Sequence, residues 1–168
     1  MSPCDVDVQI DDNLHLDKAE RIQFCALVQA AAQAAFMLYN WADGDAALTV
    51  FLTDDDYVRQ LNQQFRQLDE PTDVLSFPSG EPLPGMPEEV RYLGDIAMSL
   101  PYARRQAGHM GNPLASELQL LAVHGTLHLL GFDHTDSEEK RAMWAAQAAV
   151  LSRLGVTDIR IAGDNDGE

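Results

Sequence analysis

The stretch that decides the fold is residues 113–134, PLASELQLLAVHGTLHLLGFDH. It has an apolar stripe at helical spacing, formed by Leu120, Val123, Leu127 and Leu130. This stripe predicts a helix from about Pro113 to Leu130 with one buried face. Three of the five histidines of the chain lie in the same stretch but outside the stripe. The helix does not need them for its core, so they are available for chemistry.

The spacing of these histidines predicts a metal site. His124 and His128 are four residues apart, and at about 100° per residue their imidazoles project from nearly the same helix face. Gly131 stands where a helix would end in a left-handed residue, which turns the chain sharply. That turn brings His134 back towards the first two rings, so three nitrogen ligands converge on one point.

Neutral imidazoles suit zinc best, although nickel, copper, cobalt or iron could occupy the same three nitrogens. Three protein ligands are typical of a catalytic zinc, whose open position holds water, whereas a structural zinc usually has four. Asp133 and Asp136 are interpreted as turn or N-cap residues, with an acceptor role towards a ligand, or a fourth-ligand role, as the alternative. His15 and His109 stand alone and are interpreted as ordinary histidines.

The residue after the first histidine argues against a peptidase. The spacing H-x3-H-x2-G-x2-H is also that of metzincin proteases, which require a glutamate at that position as general base. Here the position is Gly125. Without a proton acceptor, attack on a peptide carbonyl is disfavoured.

Outside this stretch, strand and helix patterns alternate along the chain. Period-two or β-branched runs predict four strands, at residues 4–10, 46–54, 73–78 and 91–99. Helical patterns follow the candidate caps Asp17 and Asp54 and continue after Pro101 to Gly155, where the last helix closes. The first is one long helix that extends to Trp41, with apolar residues at helical spacing: Ile22, Cys25, Val28 and Ala32. The fold class expected is α+β, a small four-stranded mixed sheet covered by about five or six helices. We expect a single catalytic domain over residues 1–155 and an acidic, flexible tail over residues 156–168.

The composition limits the class of protein. The 168 residues carry 11 Lys+Arg against 27 Asp+Glu, a formal charge of −16, which excludes nucleic-acid binding through bulk positive charge. No window reaches the roughly 18 uninterrupted apolar residues of a membrane span, so a cytoplasmic protein is expected. Cys4 and Cys25 lack the spacing of a redox or zinc pair and are interpreted as plain thiols.

Three segments together resemble a known family. HGTLHLLGFDH (124–134), LNQQFRQLDEPTDVLSFP (61–78) and LGDIAMS (93–99) are similar to the YbeY family of bacterial metal-dependent endoribonucleases and ribosomal RNA maturation factors. The likeness runs from about residue 48 to residue 134. It implies a YbeY-like metal-dependent hydrolase fold with one zinc ion held by His124, His128, His134 and water.

The resemblance also implies a function. The expected enzyme is a single-strand-specific endoribonuclease, a hydrolase of phosphodiester bonds, that acts in late maturation of the 3′ end of 16S rRNA and in ribosome quality control. Arg66 matches the arginine that the family needs, and beside the metal it would bind a phosphate through two hydrogen bonds. The expected partners are single-stranded RNA, rRNA and the small ribosomal subunit, with a ribosomal protein or assembly factor besides, and neither membrane nor DNA.

The acidic charge requires an explanation within this hypothesis. We expect a local positive cleft from the arginines of the middle segment, which are Arg59, Arg66, Arg91, Arg104 and Arg105. Asp73 is interpreted either as a turn residue or as an acceptor for a metal ligand's second nitrogen. Two rival functions remain open: a non-catalytic ribosome-assembly factor with a structural zinc, and a zinc hydrolase of a non-RNA substrate.

Overall fold

The computed structural model describes residues 3–40, 44–79 and 84–161. Within these residues the four strands are β1 (Cys4–Ile10), β2 (Ala46–Thr53), β3 (Val74–Pro78) and β4 (Arg91–Ser99). The five α-helices are α1 (Lys18–Tyr39), α2 (Asp55–Arg66), α3 (Leu100–Met110), α4 (Leu114–Leu129) and α5 (Ser137–Arg153). One 3-10 turn, Asp12–Leu14, follows β1.

The sheet is mixed, with the strand order β1-β2-β4-β3. Strands β1, β2 and β4 run parallel, and β3 pairs antiparallel with β4 at the edge. The expected α+β class with a four-stranded mixed sheet and about five helices is therefore confirmed.

Helix α1 begins as the sequence predicts, and its buried face matches the expected one in part. Asp17 accepts from the Glu20 amide, and the Glu20 side chain accepts from the Asp17 amide, which is a complete capping box. Of the four residues of the expected stripe, Val28 and Ala32 are buried and Cys25 is half-buried, but Ile22 is 61% exposed. The buried face consists of Phe24, Val28, Ala31, Ala32, Ala35 and Phe36.

Small alanines on this face let α1 lie close to β1 and α4, against which it packs. By length and composition alone α1 could cross a membrane, a test that the core helix of a soluble protein also passes. The sequence pattern assigned to this helix extends to Trp41, which lies outside the described residues.

Helix α4 is the central element, because it packs against α1, α3, α5, β3 and β4. Gly125 faces the sheet, and a Cβ atom there would lie 3.0 Å from Ile96 Cγ2 and 3.2 Å from Ser76 Oγ. Ser76 donates a hydrogen bond to the Gly125 carbonyl at 3.2 Å. The glycine that stands where a metzincin has its glutamate therefore lies at a close approach of α4 to the sheet.

The segment after α5 is held against the core as far as residue 161. The Asn112 side chain donates to the Arg160 carbonyl at 2.6 Å and accepts from the Arg160 amide at 3.0 Å. Val156, Ile159 and Ile161 pack against the core cluster. Residues 162–168, the acidic end of the expected tail, lie outside the described residues, and the division at residue 155 stays a prediction.

Gly94 should be irreplaceable in β4. Its φ of +138° strains any other residue, and a Cβ atom there would overlap the Phe77 carbonyl oxygen. We expect Gly94→Ala to lower the free energy of unfolding by about 3 kcal/mol or more. Urea denaturation of the metal-free protein measures this loss.

Gly108 is the matched control, because it is helical and exposed and a Cβ atom there would meet nothing within 4 Å. Gly108→Ala should raise the free energy of unfolding by about 0.5–1 kcal/mol. Equal effects of the two substitutions would contradict the steric account of Gly94.

Candidate metal centre

Two of the three candidate ligands lie on consecutive turns of α4. The Nε2 atoms of His124 and His128 are 3.1 Å apart. Gly131 has a φ of +105°, and the Phe132 amide donates to the Leu127 carbonyl at 3.0 Å, which reverses the chain just after the helix. This turn returns His134, so that one ligand atom from each histidine lies within 4.8 Å of the others. The convergence expected from the spacing is present.

Hydrogen bonds fix which nitrogen of each α4 histidine is free. The Nδ1 atom of His128 lies 3.0 Å from the Phe132 carbonyl oxygen, which can only accept, so Nδ1 carries the proton. The Nδ1 atom of His124 lies 2.5 Å from Gln147 Oε1, which we assign as the acceptor in the same way. Both Nε2 atoms are then unprotonated in the neutral rings, and their lone pairs face each other.

Burial keeps these rings neutral. Burial is the largest cause that lowers the pKa of His128, to about 4, and the neighbouring His124 and His134 lower it further. Burial also lowers the pKa of His124, against the opposing effect of its hydrogen bond to Gln147. At neutral pH no proton lies between the two Nε2 atoms.

This arrangement fits a metal ion. Two facing lone pairs at 3.1 Å repel each other unless a cation lies between them. Zinc–nitrogen bonds of about 2.0–2.1 Å in a tetrahedron place neighbouring nitrogens about 3.3 Å apart. The separation of the two α4 nitrogens is close to that value, and His134 has a ligand atom within 4.8 Å of both, so the three histidines could hold one metal ion.

The histidines line a cavity of about 460 Å³ together with Arg66, the last residue of α2. The Asn62 side chain donates to the Glu70 carbonyl at 2.9 Å and so holds the segment that follows α2. Among the described residues Arg66 has no ion-pair partner. Its guanidinium is therefore free to bind an anion in the cavity.

The positively charged cleft expected from five arginines is absent, because only Arg66 of the five lines this cavity. The other four are bound elsewhere: Arg59 pairs with Asp69, Arg104 with Glu20 and Arg105 with Asp55, and Arg91 donates to Asn40. The position of these arginines in the middle segment, which the family resemblance placed near the metal, did not predict which of them line the cavity.

The aspartates near the site take local structural roles. Asp133 accepts from the His134 amide at 2.8 Å, and Asp136 caps α5 by accepting from the Glu139 amide at 2.7 Å. Asp73 lines the cavity, but its carboxylate accepts from the Val74 amide at 2.7 Å and from Gln106 Nε2 at 3.1 Å. The acceptors of the His124 and His128 rings are Gln147 and the Phe132 carbonyl, so none of the three aspartates serves these two ligands.

A family model described as Endoribonuclease YbeY matches residues 9–155. This chain belongs to the YbeY endoribonuclease family. A Rhodopseudomonas palustris protein named Endoribonuclease YbeY is 46% identical over 133 residues, 79% of this chain and 70% of the relative. A protein of the same name from Pelotomaculum thermopropionicum is 45% identical over 133 residues, which are 78% of this chain and 86% of the relative.

A solved structure shares the fold. The solution structure of TM1509 from Thermotoga maritima is 25% identical, has a TM-score of 0.53, and is matched over 95% of this chain and 99% of its own. The YbeY resemblance drawn from the three sequence segments is confirmed.

Sequence reasoning missed two α5 residues of this YbeY site, Trp144 and Gln147. Gln147 is 1% exposed although it lies on the apolar face of α5 with Met143, Val150 and Leu151. A polar amide on an apolar helix face was the available signal. What it bonds to could be found only from the packing of α5 on α4.

A buried carboxyl behind the cavity was also missed. Glu117 is 1% exposed and accepts from Gln106 Nε2 at 2.6 Å, and the same Gln106 nitrogen donates to Asp73. Burial is the largest cause that raises the pKa of Glu117, and the hydrogen bonds from Gln106 and Asn112 oppose it. Gln106 thus links a cavity-lining aspartate to a carboxyl in the core.

Glu117→Gln should increase stability more at high pH than at low pH. The folded-state pKa of Glu117 lies above its unfolded value of 4.5, so its contribution is fully present below pH 4.5 and is lost as pH rises through the folded pKa. A neutral glutamine avoids this loss. Urea denaturation in chelator at pH 4.5 and pH 8 should show a larger advantage of the variant at pH 8. A pH-independent difference would contradict burial as the cause.

Proposed function

We propose that this chain is a single-strand-specific, zinc-dependent endoribonuclease of the cytoplasm, acting in late maturation of the 3′ end of 16S rRNA and in ribosome quality control. The observation that carries the proposal is the pair of facing imidazole lone pairs at 3.1 Å in a cavity that also contains Arg66. The name Endoribonuclease YbeY, which the relatives bear, supports the choice of RNA as substrate.

In the proposed mechanism His124, His128 and His134 hold the ion. When bound there, zinc supplies Lewis-acid activation of water and of a phosphate oxygen near neutral pH. Gln147 and the Phe132 carbonyl keep the rings of His124 and His128 in the ligating tautomer. Imidazole nitrogens suit zinc, and nickel, copper, cobalt and iron are the competing ions.

Arg66 acts on the substrate rather than on the metal. Its planar guanidinium binds two phosphate oxygens at once and stabilises the charge that builds on them in the transition state. Two carboxylates, Asp73 and Asp133, line the same cavity, so a proton acceptor lies within the site. The reaction therefore does not need a glutamate at position 125, where a side chain would point into the sheet.

The charge of −16 supports delivery by a partner. With Arg66 as the single arginine or lysine lining the cavity within the described part of the chain, intrinsic RNA affinity should be weak and salt-sensitive. An acidic surface complements a basic ribosomal protein, so we propose the small ribosomal subunit, through a ribosomal protein or an assembly factor, as the targeting partner.

Metal content and cleavage of a single-stranded RNA by wild type, His128→Ala and Arg66→Ala test the proposal. We expect about one zinc per chain in wild type and in Arg66→Ala, and loss of zinc in His128→Ala. Cleavage by Arg66→Ala should fall by about 10²–10³-fold, the usual effect of removing one donor to a developing oxyanion.

Arg59→Ala is the matched control for Arg66→Ala. Arg59 lies on the same helix but pairs with Asp69 and does not line the cavity, so its removal should leave cleavage unchanged. If zinc is bound but wild type leaves RNA intact, the result favours the non-catalytic assembly factor. In that function the ion only links α4 to the segment before α5. Cleavage of esters or peptides but not of RNA would favour the other rival.

A further inference from the structure

We propose that Trp144 and Gln147 form a subsite for an oxygen of the substrate phosphate, bound by the indole N–H and the amide N–H. This inference rests on the proposed function for the identity of the ligand as an RNA phosphodiester. The donors themselves are a feature of the cavity, whatever reaction it performs.

The first observation is that both N–H groups lack an acceptor. Among the described residues, three buried side-chain polar atoms have no hydrogen-bond partner: Asn62 Oδ1, Trp144 Nε1 and Gln147 Nε2. Two of the three are donors, they lie three residues apart on α5, and both residues line the histidine cavity. Buried donors without a partner are rare in native proteins, and two at one cavity indicate an oxygen ligand.

The second observation is that the Gln147 side-chain amide is held in one orientation. Its Oε1 atom accepts from His124 Nδ1, and that bond is what leaves His124 Nε2 free for a metal. If the amide rotated by half a turn, an N–H would face Nδ1–H and the ligating tautomer would be lost. The same glutamine thus orients a metal ligand with its oxygen, and that bond fixes the orientation of its buried, unpartnered Nε2 donor.

Trp144 is held beside the same rings. Its indole stands nearly perpendicular to His124 and to His134, with ring centroids 6.0 and 5.8 Å away. The Lys140 ammonium lies 5.5 Å from the centre of the indole ring. Because the ring is packed on several sides, its N–H is a fixed donor that needs little reorganisation to bind a ligand.

A phosphodiester oxygen is the ligand that these donors fit best. The cavity already contains two carboxylates, Asp73 and Asp133, which disfavour an anion of high charge. A diester carries one negative charge, shared by two non-bridging oxygens. Arg66 reaches the cavity from α2, which packs on β3, β4 and α3, whereas the two N–H donors come from α5, which packs on α1 and α4. The two sets of donors therefore approach the phosphate from different sides.

Two conservative variants remove the donors separately. Trp144→Phe keeps an aromatic ring but loses the N–H. Gln147→Glu keeps an acceptor for His124 Nδ1 but replaces the second donor with an acceptor. Gln23→Glu, at an exposed position of α1 away from the cavity, controls for one added negative charge.

The dissociation constant of a short single-stranded RNA is measured on chelator-treated protein, where the RNA stays intact. Zinc affinity, kcat and KM are measured on the zinc-loaded protein. We expect Trp144→Phe and Gln147→Glu to weaken RNA binding by about tenfold or more, as is usual when a hydrogen bond to a charged group is lost. Both variants should keep their zinc, and Gln23→Glu should weaken RNA binding far less than Gln147→Glu.

RNA binding by both variants equal to wild type would overturn the subsite, because the donors would then be satisfied by water. Loss of zinc in Gln147→Glu with RNA binding by the metal-free variant equal to wild type would also overturn it, by assigning Gln147 to His124 alone. If wild type binds RNA through Trp144 and Gln147 but never cleaves it, the proposed function fails and the subsite stands. If wild type cleaves RNA and the variants match it, the subsite fails alone.

Discussion

The close approach of α4 to the sheet is the contact on which the rest of the structure depends. Gly125 lets the helix backbone lie against Ile96, and the Ser76 hydroxyl fixes that distance by donating to the Gly125 carbonyl. His124 precedes this contact and His128 follows it by three residues, so both rings are held by a buried helix rather than by a loop. Rigid placement of ligands lets a metal bind without first ordering the site.

Much of the fold could be predicted from the sequence, because the decisive signals are local. Alternation at Val6, Val8 and Ile10 marked β1, and the acids at residues 54–56 marked the start of α2. The histidine spacing with Gly131 gave the convergence of three rings, because helix geometry and one left-handed turn determine it. In each case the physical cause lies within a few residues of the pattern.

The predictions that were wrong, and the residues that were missed, depend on packing between distant elements. The sequence could not show that Arg105 would pair with Asp55 rather than face the cavity, or that Ile22 would lie on the exposed side of α1. Nor could it show that Gln147 on α5 would meet His124 on α4. Partners of buried polar groups are set by how helices cross, and no spacing rule along one helix contains that information.

The bonds between Asn112 and the Arg160 backbone have a practical consequence for work on this protein. They hold the chain so that Ile161, the last described residue, forms part of the wall of the histidine cavity. Shortening the chain to end before residue 160 would therefore remove part of this wall and would take both backbone partners away from the Asn112 side chain. A truncation designed to tidy the end of the chain would thus open the histidine cavity on the side where α5 packs on α4.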